Sequence, residues 1–255
     1  MLGVYNEILY RPLFNAMVFL QSVIPGGDLG LTIVVLTVII RVLFSPLSLK
    51  TIKSQQSLKE LSPKIEEIKA KFKDNKTAQS GAIMKLYKDN KVNPLAGCLP
   101  LLIQIPILIA LYQVFIKGIT EESLVLLYDF ISAPDFVNHN FLGLFDVTMN
   151  SRFLTLIAGG LQFLQSKQSM ALQSGLNKES SAQGGGIVSG GISKEMTALS
   201  KQMLYFFPIM IIIIGWNLPA GLILYWTTTT VFSIGEQGYI KRKSTKLGYA
   251  QKTTG

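Results

Sequence analysis

The sequence predicts an all-α integral membrane protein with five transmembrane helices, an extracytoplasmic N-terminus and a cytoplasmic C-terminus. Hydrophobic residues make up 49% of the 255 positions and charged residues 15%, whereas soluble domains carry about 25% charged residues. Long apolar runs recur, and the charge of the segments between them alternates. This composition excludes a globally disordered chain. Because Cys98 is the only cysteine, it also excludes a disulfide scaffold within one chain.

The apolar runs locate the spans, since a helix needs about 20 mostly apolar residues to cross about 30 Å of hydrocarbon. One run, 203–234, is too long for a single crossing and is interrupted by turn-forming residues at 215–221. We therefore divide it into two spans joined by a tight outer turn at 217–219. The five predicted spans are 29–49, 94–117, 152–171, 202–216 and 220–238.

The charges of the connecting segments set the predicted orientation, because Lys and Arg accumulate on the cytoplasmic side. Segment 50–93 holds 11 Lys and five acids, so we predict a basic cytoplasmic hairpin. Segment 118–151 holds five acids and no Lys or Arg, so we predict an acidic extracytoplasmic segment. The weakly apolar run 152–171 has to cross for the basic tail, 239–255, to lie inside. A Gly/Ser-rich cytoplasmic loop is predicted at 172–201.

The first 28 residues carry apolar side chains at roughly helical spacing, which predicts an interfacial helix on the outer surface. The alternative is a simple leader into the first span. The apolar positions are Ile8, Leu9, Leu13, Ala16, Phe19 and Val23.

The cytoplasmic segment 50–93 is predicted to form two helices. An apolar stripe with spacing 3, 4, 3, 4 is interrupted at Pro63, which lacks the amide donor, and residues 74–76 predict a turn before a helix over 77–90. One interpretation is a basic surface that contacts only solvent and has no binding role. The functional one is a docking surface for anionic lipid, ribosomal RNA or an acidic protein. No DNA-binding motif is present, so no DNA partner is expected. The stripe consists of Leu58, Leu61, Ile65, Ile68 and Phe72.

Arg41 lies near the middle of the first predicted span, where a charge costs roughly 2.5–3.5 kcal/mol on insertion scales. Snorkelling to the cytoplasmic end would have to cover about 12 Å. We expect no Asp or Glu within any of the five spans, and therefore no intramembrane ion pair. We instead predict a hydrated, positively charged cavity that attracts acidic residues of another molecule. The candidate polar lining is Thr37, Gln104, Gln162, Gln165 and 227–230.

Motifs for catalysis are absent from the sequence. It has no P-loop, no H-E-x-x-H and no G-x-S-x-G, and the lone His139 is typical of a surface residue. We therefore expect no enzyme activity, no cofactor and no metal. The alternative function is a small-solute transporter or channel, although the spans show neither a carboxylate relay nor inverted repeats.

Segment 93–107, which reads NPLAGCLPLLIQIPI, closely resembles the signature of the YidC membrane protein insertases, relatives of the mitochondrial and chloroplast insertases. Arg41, the turn at 217–221 and the tripeptide at 224–226 agree with that family. The resemblance covers about 29–243.

The resemblance implies a five-helix core around a hydrophilic groove that is open to the cytoplasm and to lipid but closed to the outside. Arg41 resembles the groove arginine, and Thr37 and Trp226 resemble client-contacting positions. Gln104 and Gln162 resemble further groove residues, with Gln165 as the alternative to Gln162.

The function implied is insertion and chaperoning of nascent membrane proteins in the bacterial plasma (inner) membrane. A short acidic or polar tail enters the groove at Arg41, and the hydrophobic segment is released into lipid. The partners implied are nascent membrane proteins, lipids and the Sec translocon. The hairpin and tail are expected to contact the ribosome and the signal recognition particle pathway.

Overall fold

The computed structural model describes residues 2–93, 99–117, 120–134, 136–174 and 192–252. The protein is mostly helical, with one small antiparallel hairpin. Its helices are α1 (Leu2–Tyr5), α2 (Arg11–Val23), α3 (Leu29–Glu60), α4 (Ser62–Lys71), α5 (Lys76–Asp89), α6 (Leu99–Lys117), α7 (Glu121–Leu124), α8 (Arg152–Ser174), α9 (Ile192–Gly215) and α10 (Ala220–Lys252), and its strands are β1 (Asn140–Phe141) and β2 (Phe145–Asp146).

The chain divides into two compact units. The first comprises 1–44, 101–165 and 206–234, and the second comprises 45–100, 166–205 and 235–255. Among the described residues, one helical stretch, Leu29–Ser54, is long and apolar enough to cross a membrane. Two shorter apolar stretches are Gln104–Val114 and Leu204–Gly215.

The first unit has a continuous apolar core to which α2, α3, α6, α8, α9 and α10 all contribute. Small residues let the helices approach one another, as Ala110 and Ala158 do where they are fully buried. Larger members fill the remaining space; they include Phe14, Val18, Ile33, Leu36, Val114, Ile211, Ile223 and Tyr225.

The N-terminal helix α2 packs into this core rather than only covering its surface. Asn15 is 1% exposed; its side-chain amide donates to the Leu126 carbonyl at 2.9 Å and accepts from the Tyr128 amide at 2.7 Å. The apolar stripe predicted for this helix is split between two environments. Leu9, Leu13 and Ala16 pack against the core, whereas Ile8, Phe19 and Val23 are exposed.

The segment that precedes α8 contains a β-hairpin that the hydropathy pattern does not predict. Leu142 and Gly143 have φ values of 49° and 73°, the conformation of a type I′ turn between β1 and β2. Next to the hairpin, the Thr148 hydroxyl donates to Asp146 at 2.6 Å, and this hydrogen bond lowers the pKa of the Asp146 carboxyl.

Backbone hydrogen bonds tie this segment to the start of α10. The Ala220 amide donates to Met149 O and the Gly221 amide donates to Val147 O, both at 2.7 Å. The first amides of a helix have no partner within the helix, so the hairpin segment supplies the acceptors they need.

In the second unit the hairpin helices agree with the sequence prediction. The helix breaks at Leu61, and α4 begins with a proline in its first turn. The Asn75 side chain caps α5 by accepting from the Ala78 amide at 3.0 Å.

The structure corrects the prediction of a loop over 172–201, because α8 continues to Ser174 and α9 already begins at Ile192. Residues 194–202 (KEMTALSKQ) are polar but contain strong helix formers. Hydropathy therefore marks the end of an apolar run rather than the end of the helix. The Gly/Ser-rich residues 175–191 lie outside the described residues. Helix α10 likewise continues to Lys252 through the predicted tail.

We predict that Asp28 is the main anchor between the start of α3 and the hairpin. Its carboxylate accepts from the Leu31 amide at 2.8 Å and from the Leu142 amide at 2.6 Å. Asp28→Ala removes a helix cap worth about 1 kcal/mol and leaves an amide without its acceptor, at about 1–3 kcal/mol. Thermal unfolding in detergent should show a clear loss for Asp28→Ala and a smaller one for Asp28→Asn. Equal melting temperatures for Asp28→Ala and the unmodified protein would contradict this role.

Candidate functional site

Helix α3 carries the two site residues predicted for the first span, one turn apart. Thr37 is 1% exposed, and its hydroxyl donates to the Ile33 carbonyl of the same helix at 2.5 Å. Arg41 is partly buried, and its charge interacts electrostatically with the Tyr225 hydroxyl. The electric field of a partly buried guanidinium therefore reaches a buried phenol.

Gln104 joins α6 to α10. Its side-chain amide donates to the Tyr225 hydroxyl, and Tyr225 is only 2% exposed. A buried tyrosine normally finds a hydrogen-bond partner for its hydroxyl. The Tyr225 hydroxyl thus accepts a hydrogen bond from a glutamine of α6 and also lies in the electric field of Arg41.

Gln162 joins α8 to α10. The Trp226 indole N–H donates to Gln162 Oε1 at 3.1 Å, and the Thr230 hydroxyl lies 3.5 Å from the same oxygen. Of the two glutamines left open by the sequence, Gln162 is the one held against Trp226. These contacts do not include Gln165.

Two hydroxyls of the threonine run on α10 bond back to their own helix. Thr228 donates to Leu224 O at 2.8 Å and Thr230 donates to Trp226 O at 2.9 Å, a pattern by which hydroxyls are satisfied within a helix. The Thr227 hydroxyl is buried and has no hydrogen-bond partner among the described residues.

Tyr225 is the site residue that the sequence analysis missed. Of the five predicted site residues, Trp226 lies next to Tyr225 on α10, Gln104 bonds to Tyr225 and Gln162 bonds to Trp226. The charge of Arg41 acts on Tyr225. The hydrogen bond of Thr37 stays within α3. A usable signal was present, since a tyrosine inside an apolar run needs a polar partner.

The expectation that the spans hold no acidic side chain is wrong for the fifth span. Glu236 lies inside the fifth predicted span, 220–238, close to where its apolar run stops. It is 8% exposed, and one carboxylate oxygen accepts from the Ser48 hydroxyl at 2.8 Å. The other oxygen has no hydrogen-bond partner among the described residues.

Within the part of the chain that the structure describes, no group of three or more His, Cys, Asp or Glu side chains could hold a metal ion. The polar cluster of Arg41, Gln104, Gln162, Tyr225 and Trp226 instead offers one cation and several hydrogen-bonding groups. Such a set can bind and orient a polar or acidic segment.

Comparison with known proteins identifies the family. The model of the 60Kd inner membrane protein family matches residues 19–247. The chain belongs to that family. Its members are proteins of the bacterial inner membrane, and this chain shares that location.

Relatives in the 60Kd inner membrane protein family include proteins named "Membrane protein insertase YidC". One from Fusobacterium nucleatum is 34% identical over 85% of this chain and 88% of its own length. One from Oceanobacillus iheyensis is 32% identical over 91% of this chain and 81% of its own length. One from Pelobacter propionicus is 29% identical over 92% of this chain, which spans only 39% of that longer relative.

We predict that the Ser48–Glu236 hydrogen bond stabilises the second unit. Ser48→Ala removes the donor and leaves a buried carboxylate without a partner, at about 1–3 kcal/mol. Ser48→Thr is the matched control, because it keeps the hydroxyl. Unfolding in detergent should show Ser48→Ala melting below Ser48→Thr, and Glu236→Gln should melt above Glu236→Ala. The same melting temperature for Ser48→Ala and Ser48→Thr would mean that the hydrogen bond does not stabilise the fold.

Proposed function

We propose that this protein is a membrane protein insertase and chaperone, which inserts nascent membrane proteins into the bacterial inner membrane and helps them fold. The observation that carries the proposal is membership of the 60Kd inner membrane protein family over 19–247, with relatives named as insertases over most of this chain. The polar cluster around Tyr225 supplies a physical basis for the activity.

The proposed topology has five spans with the N-terminus outside and the C-terminus inside. The spans 29–49, 94–117, 152–171, 202–216 and 220–238 overlap helices α3, α6, α8, α9 and α10 in turn. The charge distribution supports this orientation. Lys and Arg accumulate on the cytoplasmic side; the hairpin and tail are Lys-rich, whereas segment 118–151 is acidic.

The proposed groove is hydrophilic, open to the cytoplasm and lipid, and closed to the outside. Its polar groups are Arg41, Thr37, Gln104, Gln162 and Trp226. The hydrogen bonds of 147–149 to the start of α10 support an outer end closed by protein. A charge in such a site keeps its hydration only from the opposite side.

In the proposed mechanism, Arg41 is a polar waypoint for an acidic tail. A negative tail is attracted to the guanidinium because opposite charges attract more strongly where water is scarce. The membrane potential, negative inside, then favours its outward release by about 2.3 kcal/mol per charge per 100 mV. Burial of the client's hydrophobic segment in lipid contributes roughly 0.8 kcal/mol per CH₂. No bond is made or broken.

The remaining groove residues are proposed to exchange partners with the client. The Gln104 and Gln162 amides and the Trp226 indole bond to one another or to Tyr225 while the groove is empty. A client backbone offers the same donors and acceptors, so each bond can be replaced by an equivalent one at small net cost.

The cytoplasmic hairpin and tail are the proposed contacts for the ribosome, the signal recognition particle pathway and the Sec translocon. Lysines on α4 and α5, including Lys64, Lys76 and Lys85, are exposed. An exposed basic surface binds acidic partners and RNA through charge attraction, and that attraction weakens as salt rises.

We predict that the charge of Arg41 decides insertion of acidic-tailed clients. Liposomes containing only this protein should protect the short acidic N-tail of a single-span client from external protease. Arg41→Glu should abolish that protection, and Arg41→Ala should reduce it by about tenfold for each 1.4 kcal/mol of attraction lost. Arg41→Lys should retain more activity than Arg41→Ala, since the position of the charge matters more than the guanidinium shape.

The control for this assay is a client with an uncharged tail, which should respond less to Arg41→Glu. Unchanged insertion of the acidic client by Arg41→Glu would rule out the electrostatic step. Solute flux through the same liposomes in the absence of a client would instead favour a transporter or channel.

We predict the orientation of the connecting segments from their charge. In a Cys98→Ser background, a cysteine placed at Leu144, which is 73% exposed, should react with a membrane-impermeant maleimide on intact cells. A cysteine at Lys73 should react only after permeabilisation. The reverse labelling pattern would contradict the proposed topology.

A further inference from the structure

Helices α8 and α9 approach each other closely in the first unit. A side chain added at Gly159 would come within 2.5 Å of Ile212, so a glycine is needed there. The Thr155 hydroxyl donates to the Gly215 carbonyl at 3.2 Å, and Leu154 and Ala158 on the inner side of α8 are buried. The two helices therefore lie side by side, and their other side chains face away from the core.

The side of α8 and α9 that faces away from the core is apolar and exposed. Phe153 and Leu156 of α8 are 75% and 52% exposed, and Ile209 and Ile213 of α9 are 54% and 66% exposed. On α8 the exposed apolar side chains continue to Leu164. The rise from Phe153 to Leu164 is about 16 Å, close to half of a hydrocarbon core of about 30 Å. The surface thus matches the depth of one leaflet.

A cation and an aromatic ring cap this surface at one end. The Arg152 guanidinium lies 5.4 Å from the centre of the Trp216 ring, and Arg152 is exposed. Arg152 makes no ion pair with the side chains that the structure describes. Because segment 118–151 contains no Lys or Arg, Arg152 stands apart from the basic residues of the proposed cytoplasmic side.

We infer that this edge of α8 and α9 binds an anionic glycerophospholipid of the outer leaflet. The phosphate lies against Arg152, whose planar set of N–H donors fits phosphate oxygens. The glycerol region lies beside Trp216, at the depth that tryptophan prefers in membranes. The acyl chains lie over Phe153, Leu156, Ile209 and Ile213. The inference rests on the proposed topology, which places the start of α8 at the outer face.

The chemistry of the surface favours lipid over a protein partner. A protein helix docked here would have to satisfy Arg152 with an acid while presenting an apolar face of one leaflet's length. A phospholipid has both properties in one molecule, with a negative head and chains of matching length. Its net negative charge separates it from a zwitterionic lipid, whose head carries a positive group as well.

The test uses Trp216 as the reporter. Trp226→Phe leaves Trp216 as the single tryptophan, since the chain has two. The full-length protein is reconstituted with brominated phosphatidylglycerol or brominated phosphatidylcholine, which quench a tryptophan that they touch. Phosphatidylglycerol should reach half-maximal quenching at a mole fraction about fivefold lower, as expected for one cation near an anionic head group.

Variants at Arg152 assign the preference to its charge. Arg152→Gln should remove the preference, and Arg152→Lys should keep most of it. Lys167→Gln is the matched control, because it removes a charge from an exposed position further along the same helix; the preference should stay unchanged. Circular dichroism verifies that each variant keeps its helical content.

Equal quenching by the two lipids in the Trp226→Phe protein, with Arg152 unchanged, would overturn the inference. An unchanged preference in Arg152→Gln would overturn it as well. The insertion assay is scored separately, in liposomes of the same two lipids that contain the protein with both tryptophans, because Trp226 is one of the proposed groove residues. Loss of client insertion with an intact lipid preference would count against the proposed insertase function alone, whereas loss of the preference with intact insertion would count against the lipid site alone.

Discussion

A polar group inside a bilayer has to find its hydrogen-bond partner within the protein, because lipid offers none. Several polar side chains of the predicted spans follow this constraint. Gln104 bonds to Tyr225, Gln162 accepts from Trp226, and Ser48 donates to Glu236. Thr37, Thr228 and Thr230 donate to carbonyls of their own helices. Each pair that joins two helices also fixes their relative position, so these polar residues hold the helices together.

Helix α10 holds the centre of this arrangement. Its Tyr225 meets α6, its Trp226 meets α8 and its Glu236 meets α3. Because α10 bonds to three other helices, a substitution in any of the three affects its packing. The hairpin segment ahead of α8 supports the other end of the same helix through the amides of Ala220 and Gly221.

Two arginines show how surroundings decide the use of one charge. Arg41 is partly buried, acts on a buried tyrosine, and is proposed to receive acidic tails of client proteins. Arg152 is exposed beside a tryptophan and above an apolar surface, and is proposed to hold a lipid phosphate. The guanidinium is the same in both places. What differs is the amount of water each keeps and the shape of the apolar surface next to it.

The sequence alone determined the helical class, the helix break next to Pro63 and the polar positions of the spans, because these depend on local composition and on spacing along one helix. It also carried the family resemblance that the comparison with the 60Kd inner membrane protein family confirmed. Only the tertiary structure decided that Gln162 rather than Gln165 meets Trp226, that Tyr225 accepts a hydrogen bond from Gln104, and that Glu236 is buried against Ser48. Each of these depends on which faces of two helices meet, and the periodicity of a single helix contains no information about its neighbour. The sequence analysis did not predict the β-hairpin at 140–146, because its strands of two residues are too short to show a periodicity of their own.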